Sequence, residues 1–126
     1  MIASAHVERG SISIVVAGVA TIALVASLGL ADVGKALVAR ARARAAADAA
    51  ALAAAQELAL PGERTPVELA SDYAARNGAE LVSCTCAPGS LEATVEVATP
   101  VGTMFLAGEG HTVRARARAV VDVPIV

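Results

Sequence analysis

The hydrophobic pattern begins with a charge-free segment of 22 residues, 10–31, close to the amino terminus. At ~1.5 Å per residue it would form about 33 Å of helix, enough to cross a hydrocarbon core of ~30 Å. The first proline of the chain is Pro61, and an alanine-rich, helix-favouring run fills the interval before it. We therefore predict one continuous helix over residues 11–60, of which about 11–31 is transmembrane.

Beyond residue 31 this helix shows no amphipathic stripe of the kind that a surface helix normally has. Its charged residues and its larger apolar residues both scatter around the axis: Asp32, Lys35, Arg40, Arg42, Arg44, Asp48 and Glu57, and Leu37, Val38, Leu52, Leu58 and Leu60. Alanine supports a helix by propensity alone, and small side chains let other helices approach closely. Two interpretations follow, a helix enclosed by other subunits and a stiff stalk in water.

A second, short helix is predicted after the turn at Leu60-Pro61-Gly62. Thr65 fits the N-cap, Pro66 the first helical position and Glu68 the reciprocal position of a capping box. The helix should run to about Asn77 and stop at Gly78. We assign Val67, Leu69, Ala70, Tyr73 and Ala74 to its apolar side.

Three runs that alternate with period two follow, at residues 81–87, 91–98 and 112–123. Pro88-Gly89-Ser90 separates the first two as a hairpin would. The predicted fold class is α+β: a long transmembrane helix, then one short helix on a three-stranded antiparallel sheet. The expected divisions are a leader at 1–10, the long helix at 11–60 and a small domain at 61–126.

Composition agrees with a membrane-anchored protein that has a small domain. Hydrophobic residues make up 56% of the chain, and the mean hydropathy is +0.65. A net charge of −2 argues against a general nucleic-acid binder. A domain of about 65 residues is close to the size at which a single core is marginal. With Tyr73 and Phe105 as its only aromatic residues, it should need the alanine-rich helix or a neighbouring subunit to complete its packing.

Cys84 and Cys86 form the only thiol motif. Alternation places both on one strand face with Val82, which we take as the buried face. Residues i and i+2 of a strand lie about 6.6 Å apart, near the far limit for a disulfide. Two small buried apolar residues is the leading interpretation, and a disulfide is the alternative. A zinc site would need four ligands, and only His6 and His111 could add to the pair.

Two surface features are candidates for contacts. Arg114, Arg116 and Arg118 could bind an acidic surface, but are expected to pair across strands with Glu92 and Glu96. Met104, Phe105 and Leu106 lie in the loop before the third strand; they could form a contact site, although burial beneath the domain is favoured. No nucleophile has a plausible histidine partner and no glycine-rich phosphate loop is present, so we expect neither an enzyme nor a cofactor, and no metal site.

The long helix resembles the amino-terminal signature of TadE/TadG-like proteins, minor pilin components of tight-adherence (Flp-type) pili. The resemblance lies in Asp32-Val33-Gly34-Lys35, in Arg40 and in the run Ala46-Ala47-Asp48-Ala49-Ala50-Ala51-Leu52-Ala53-Ala54-Ala55, placed after an apolar span. It covers roughly residues 10–60. The remainder resembles the short actinobacterial TadE-like proteins loosely.

The resemblance implies a minor pilin or pseudopilin assembled into a tight-adherence pilus or secretion filament. A prepilin peptidase would cut between Gly10 and Ser11, although many prepilins carry Glu where this chain has Val15; an uncleaved signal anchor is the alternative. Asp32, Gly34, Asp48 and Leu52 would contact other pilin-like subunits. The other functional hypothesis is a single-pass membrane-anchored module that binds a partner through its extracytoplasmic domain.

Orientation is where two arguments conflict. Lys35, Arg40, Arg42 and Arg44 outnumber Arg9 and the amino terminus, which places the carboxyl-terminal part in the cytoplasm. Resemblance to pilins places it outside the inner (cytoplasmic) membrane, and pairing of Lys35 with Asp32 partly offsets the charge count. We follow the resemblance.

Overall fold

The computed structural model describes the backbone of residues 2–124 and the side chains of residues 10–124. One helix, α1, extends over Ile2–Ala59, and a second, α2, over Pro66–Arg76. Three strands follow: β1 at Glu80–Thr85, β2 at Glu92–Pro100 and β3 at Thr112–Val120. They form an antiparallel sheet in the order β1-β2-β3. The predicted α+β fold is confirmed.

Helix α1 contains a segment long and apolar enough to cross a membrane. The large apolar side chains of residues 12–30 are exposed, except that of Leu28, which is half-buried. A run of exposed apolar side chains on all sides of a helix is the pattern of a membrane span. The length, apolar character and exposure of this segment therefore agree with the prediction for residues 11–31.

The remainder of α1 is the central element of the hydrophobic core. Nine of its alanines are buried against the sheet and α2: Ala39, Ala43, Ala46, Ala47, Ala50, Ala51, Ala53, Ala54 and Ala55. Ala93, Val95 and Val97 of β2 pack against this face. The core therefore crosses residue 60, and the alanine-rich helix completes the packing of the small domain, as the composition predicts.

The prediction that α1 lacks a preferred face is wrong. Ala39, Ala43, Ala47, Ala50 and Ala54 recur at intervals of three and four residues, which places them on one side of a helix. The face escapes a search for large apolar residues because it consists of alanine. What encloses this face is the chain's own sheet and α2, so neither other subunits nor water surround it.

Helix α2 begins and ends as the sequence predicts. The Thr65 hydroxyl accepts a hydrogen bond from the Glu68 amide (3.2 Å), and the Glu68 carboxylate accepts one from the Thr65 amide (3.1 Å). Gly78 follows the C-cap with φ of 75°, a conformation that glycine adopts without strain. The helix buries only Ala70 and Ala74, whereas Val67 and Tyr73 of the predicted apolar side are exposed.

The strands alternate as predicted, with one correction in β1. Ala93, Val95, Val97 and Thr99 of β2 are buried, and in β3 every second residue from Val113 to Ala119 is half-buried. The pairing of β1 with β2 shifts between Leu81 and Ser83. This bulge inserts Val82 as an extra residue, so Val82 is exposed and does not share the inner face with Cys84.

Candidate functional site

The most specific polar arrangement lies where the charge-free segment of α1 ends. Asp32 is 7% exposed. Its carboxylate accepts hydrogen bonds from the backbone amides of Phe105 (2.7 Å), Leu106 (2.7 Å) and Ala107 (3.4 Å). These residues belong to the β2–β3 loop, residues 101–111. Three converging amides satisfy a buried carboxylate that would otherwise be costly to dehydrate. Asp32 therefore ties this loop to the helix.

Lys35, one turn further along α1, holds the same loop at a second point. Its ammonium group donates a hydrogen bond to the Thr103 carbonyl (2.6 Å) and lies 4.6 Å from the centroid of the Phe105 ring. The second distance is within the range of a cation–π interaction. Lys35 and Asp32 were expected to pair mainly with each other. The main role of both side chains is instead to hold the β2–β3 loop.

The surroundings of Asp32 lower the pKa of its carboxyl group below the ordinary value of 3.8. Burial by itself raises that pKa, because it disfavours the charged form. The hydrogen bonds from the amides of Leu106, Phe105 and Ala107 act in the opposite direction, as does the positive charge of Lys35, and together they prevail. The carboxylate therefore stays ionised at neutral pH and remains an acceptor for the loop.

The cluster Met104, Phe105 and Leu106 sits at this junction. Met104 is half-buried, but Phe105 and Leu106 are 63% and 58% exposed. The expectation that the cluster is buried beneath the domain is therefore wrong for these two. The physical reason is the tie to Asp32, which fixes the loop by its backbone beside α1 and leaves both side chains largely exposed.

The three arginines of β3 pair with β2, as expected. Arg116 and Arg114 lie 2.9 Å and 3.5 Å from the Glu96 carboxylate, and Arg118 lies 2.6 Å from that of Glu92. The hydrogen bond from Arg116 is the main cause that lowers the pKa of Glu96; burial opposes it, and the charges of Arg116 and Arg114 add to it. Each arginine side chain is still largely exposed to solvent. These arginines and glutamates therefore form a solvated face whose charges largely cancel.

Cys84 and Cys86 form a disulfide, with Cα atoms 5.5 Å apart. Cys86 is buried and Cys84 half-buried, as the leading interpretation of two small buried apolar residues expected, but the two are joined in the disulfide that was the alternative. The span is shorter than regular strand geometry predicts because β1 ends at Thr85, between the two cysteines. Among the residues with described side chains, no group of three His, Cys, Asp or Glu could hold a metal ion.

The remaining predicted assembly residues lie on the side of α1 that the domain leaves open. Asp48 and Leu52 are exposed, Leu52 to 56%. Gly34 is exposed beside a shallow recess formed with Lys35 and the start of the β2–β3 loop. Gly10 and Ser11 are exposed within α1. The structure thus brings Asp32 together with the Phe105–Leu106 loop, which the sequence did not connect, and leaves Asp48 and Leu52 apart from them.

Comparison with known proteins assigns a family to the helix. Residues 10–57 match the family model described as "Putative Flp pilus-assembly TadE/G-like". The resemblance to TadE/TadG-like proteins is therefore confirmed for the segment that contains the apolar span, Asp32 and the buried alanine face. The family is one of pilus-assembly proteins and not a known enzyme class. No curated protein and no solved structure matches the chain significantly.

Proposed function

We propose, from the premise that residues 10–57 form a TadE/G-like pilus-assembly helix, that this chain is a minor pilin or pseudopilin. It is held in the cytoplasmic membrane by residues 11–31, with its domain on the outer side, and enters a tight-adherence pilus or secretion filament. Its partners are pilin-like subunits and the assembly machinery.

One observation carries this proposal: the family match covers both the segment of α1 that would cross the membrane and the segment that forms the core of the domain. Residues 10–57 contain the whole apolar span and all nine buried alanines of α1. A subunit that must leave the bilayer and join a filament benefits from a domain packed rigidly on the same helix, because the two then move as one body.

The domain also defines which side of α1 is open to neighbouring subunits. The buried alanines occupy one side, whereas Arg44, Asp48 and Leu52 are exposed and recur at intervals of four residues. We place the assembly contacts there, with Gly34 at the membrane end of the same helix. Asp32 is already engaged by the β2–β3 loop, so it supports assembly only through that loop.

Orientation has a direct test at Ser71, an exposed residue of α2. In a background with Cys84 and Cys86 replaced by alanine, the Ser71→Cys variant should react with a membrane-impermeant maleimide added to intact spheroplasts. The expected result is labelling equal to that after lysis. Labelling only after lysis would place the domain in the cytoplasm, as the count of Lys and Arg beside the span suggests.

Processing and assembly are tested together on cells that express the chain natively. We expect sheared surface filaments to contain this chain, with an intact mass that starts at Ser11. Gly10→Leu should keep the leader, remain in the membrane fraction and disappear from the filaments. Gly18→Leu is the matched control for processing, since a side chain at either glycine meets open space; it should be cut normally.

Two results would contradict the proposal in different ways. A wild-type chain that retains Met1 or Ile2 is not processed as a prepilin. A chain confined to membranes, while filaments are recovered without it, is the membrane-anchored binding module and not a filament subunit.

A further inference from the structure

The β2–β3 loop lies beside the charge-free segment of α1 and not only beside the domain. Leu106 Cδ1 lies 3.7 Å from the position that a Cβ atom would occupy on Gly29. Gly29 precedes Asp32 by three residues, or about 4–5 Å along a helix. The tip of the loop therefore reaches past Asp32, the first charged residue after the charge-free segment, to the level of residues that the proposed anchoring places in the membrane.

The exposed side chains of the loop continue the apolar surface of the span. Phe105 and Leu106 are 63% and 58% exposed, and Leu106 lies against α1 at Gly29, inside a span whose large apolar side chains are also exposed. Large exposed patches of this kind usually mark a contact surface. Here the patch is continuous with the span at Gly29. In the proposed anchoring, lipid covers the span.

The N–H groups of the loop tip are all paired within the protein. The five amides of residues 104–108 all have acceptors: Asp32 for Phe105, Leu106 and Ala107, and the mutual bridge between Met104 and Gly108 (2.8 and 3.2 Å). The Ala107 carbonyl pairs with the His111 ring at 2.8 Å. Pairing of these N–H groups lowers the free-energy cost of bringing an irregular segment close to hydrocarbon.

The charged groups nearby fit the headgroup level. Lys35 extends along the loop with its ammonium group on the Thr103 carbonyl, and a lysine of this kind covers apolar surface with its stem while its charge stays at the polar boundary. Asp32 is enclosed by the loop amides, so its charge does not face the lipid.

We propose that the β2–β3 loop is a lipid contact: Phe105 and Leu106 enter the leaflet that borders the domain, and the domain rests directly on the membrane surface. The occupant of this patch is the acyl-chain region of the bilayer, next to the span. The inference rests on the membrane anchoring in the proposed function, but it does not require a filament.

The chain has no tryptophan, so single-tryptophan variants of the full chain report one position each. The chain is reconstituted in phosphatidylethanolamine–phosphatidylglycerol vesicles with bromine near the top of the acyl chains or near their middle. Phe105→Trp and Leu106→Trp are the test variants. Val19→Trp reports on the span. Tyr73→Trp is the control in α2, which packs near Ala53, about 30 Å along α1 from Asp32.

We expect blue-shifted tryptophan emission for both loop variants. Bromine near the top of the acyl chains should quench most of this emission, and bromine near their middle should quench less of it. Val19→Trp should be quenched most by deep bromine, and Tyr73→Trp by neither. Unquenched loop variants beside a quenched Val19→Trp would overturn the lipid contact and leave the anchor standing. Blue-shifted but unquenched loop variants would assign the patch to a second copy of the chain. An unquenched Val19→Trp would overturn the anchor and the lipid contact together.

Discussion

Ala50→Leu and Ala54→Leu should each destabilise the domain by about 1–3 kcal/mol, because both positions are fully buried between α1 and the sheet. A leucine there adds three carbon atoms where Val95 and Val97 leave no space. Leucine keeps high helix propensity, so the loss cannot come from the helix itself. The measurement is urea-dependent pulse proteolysis of the full chain in detergent, since Arg114, Arg116 and Arg118 are cleavable once the sheet opens.

Ala45→Leu is the matched control, because Ala45 is an exposed alanine of the same helix. It should change the free energy of unfolding by less than about 0.5 kcal/mol. Equal effects at Ala45 and Ala50 would show that the sheet does not pack on the alanine face. These variants test folding, so any loss of Ala50→Leu or Ala54→Leu from filaments would not by itself report contacts between subunits.

Replacing Asp32 by alanine should release the β2–β3 loop from the helix. The three amides of residues 105–107 lose their common acceptor, and their hydrogen exchange should accelerate at least about tenfold, as expected for charge-assisted bonds. Asp48→Ala is the control: Asp48 is an exposed carboxylate on the same helix, and its loss should leave the loop unchanged. Unchanged exchange at Phe105 in the Asp32 variant would contradict the tie.

The same tie should depend on pH in a defined direction. The native pKa of Asp32 is lowered from 3.8, so the ionised form stabilises the native loop. The contribution of the ionised carboxylate to the stability of the loop is complete above the pKa of Asp32 in the unfolded chain. It is lost as pH falls through the lower pKa of Asp32 in the native structure. Protection of the loop amides, corrected for intrinsic exchange, should therefore be constant from neutral pH to about pH 5 and fall only in strong acid. Asp32→Ala should remove this dependence.

The sequence was sufficient wherever a local rule decides the structure. The capping box at Thr65 and Glu68, the apolar span, and the alternation of Glu92 and Glu96 with buried valines all follow from neighbouring residues. It was insufficient where the answer depends on a distant partner. Nothing near Asp32 indicates that its acceptor role is for amides more than 70 residues away.

Two other errors have equally specific causes. Alanine contributes little to a hydrophobic pattern, so the spacing of Ala39, Ala43 and Ala47 did not stand out among the many alanines of the helix. The bulge at Val82 adds one residue to β1, which reverses the inside–outside assignment on one side of it. The Phe105–Leu106 cluster was identified from the sequence as a candidate contact, but its place beside the charge-free segment of α1 could be seen only in the fold.

The central claim is that one unbroken helix both anchors the chain and forms the core of its domain. Hydrogen exchange of the full chain in lipid vesicles and in mild detergent tests it most directly. We expect protection without a break from residue 11 to residue 59, including residues 32–38 between the span and the buried alanines, and the protection of residues 39–55 should be the same in both media. Rapid exchange at residues 32–38, with slow exchange on both sides, would show a hinge and would separate the anchor from the domain.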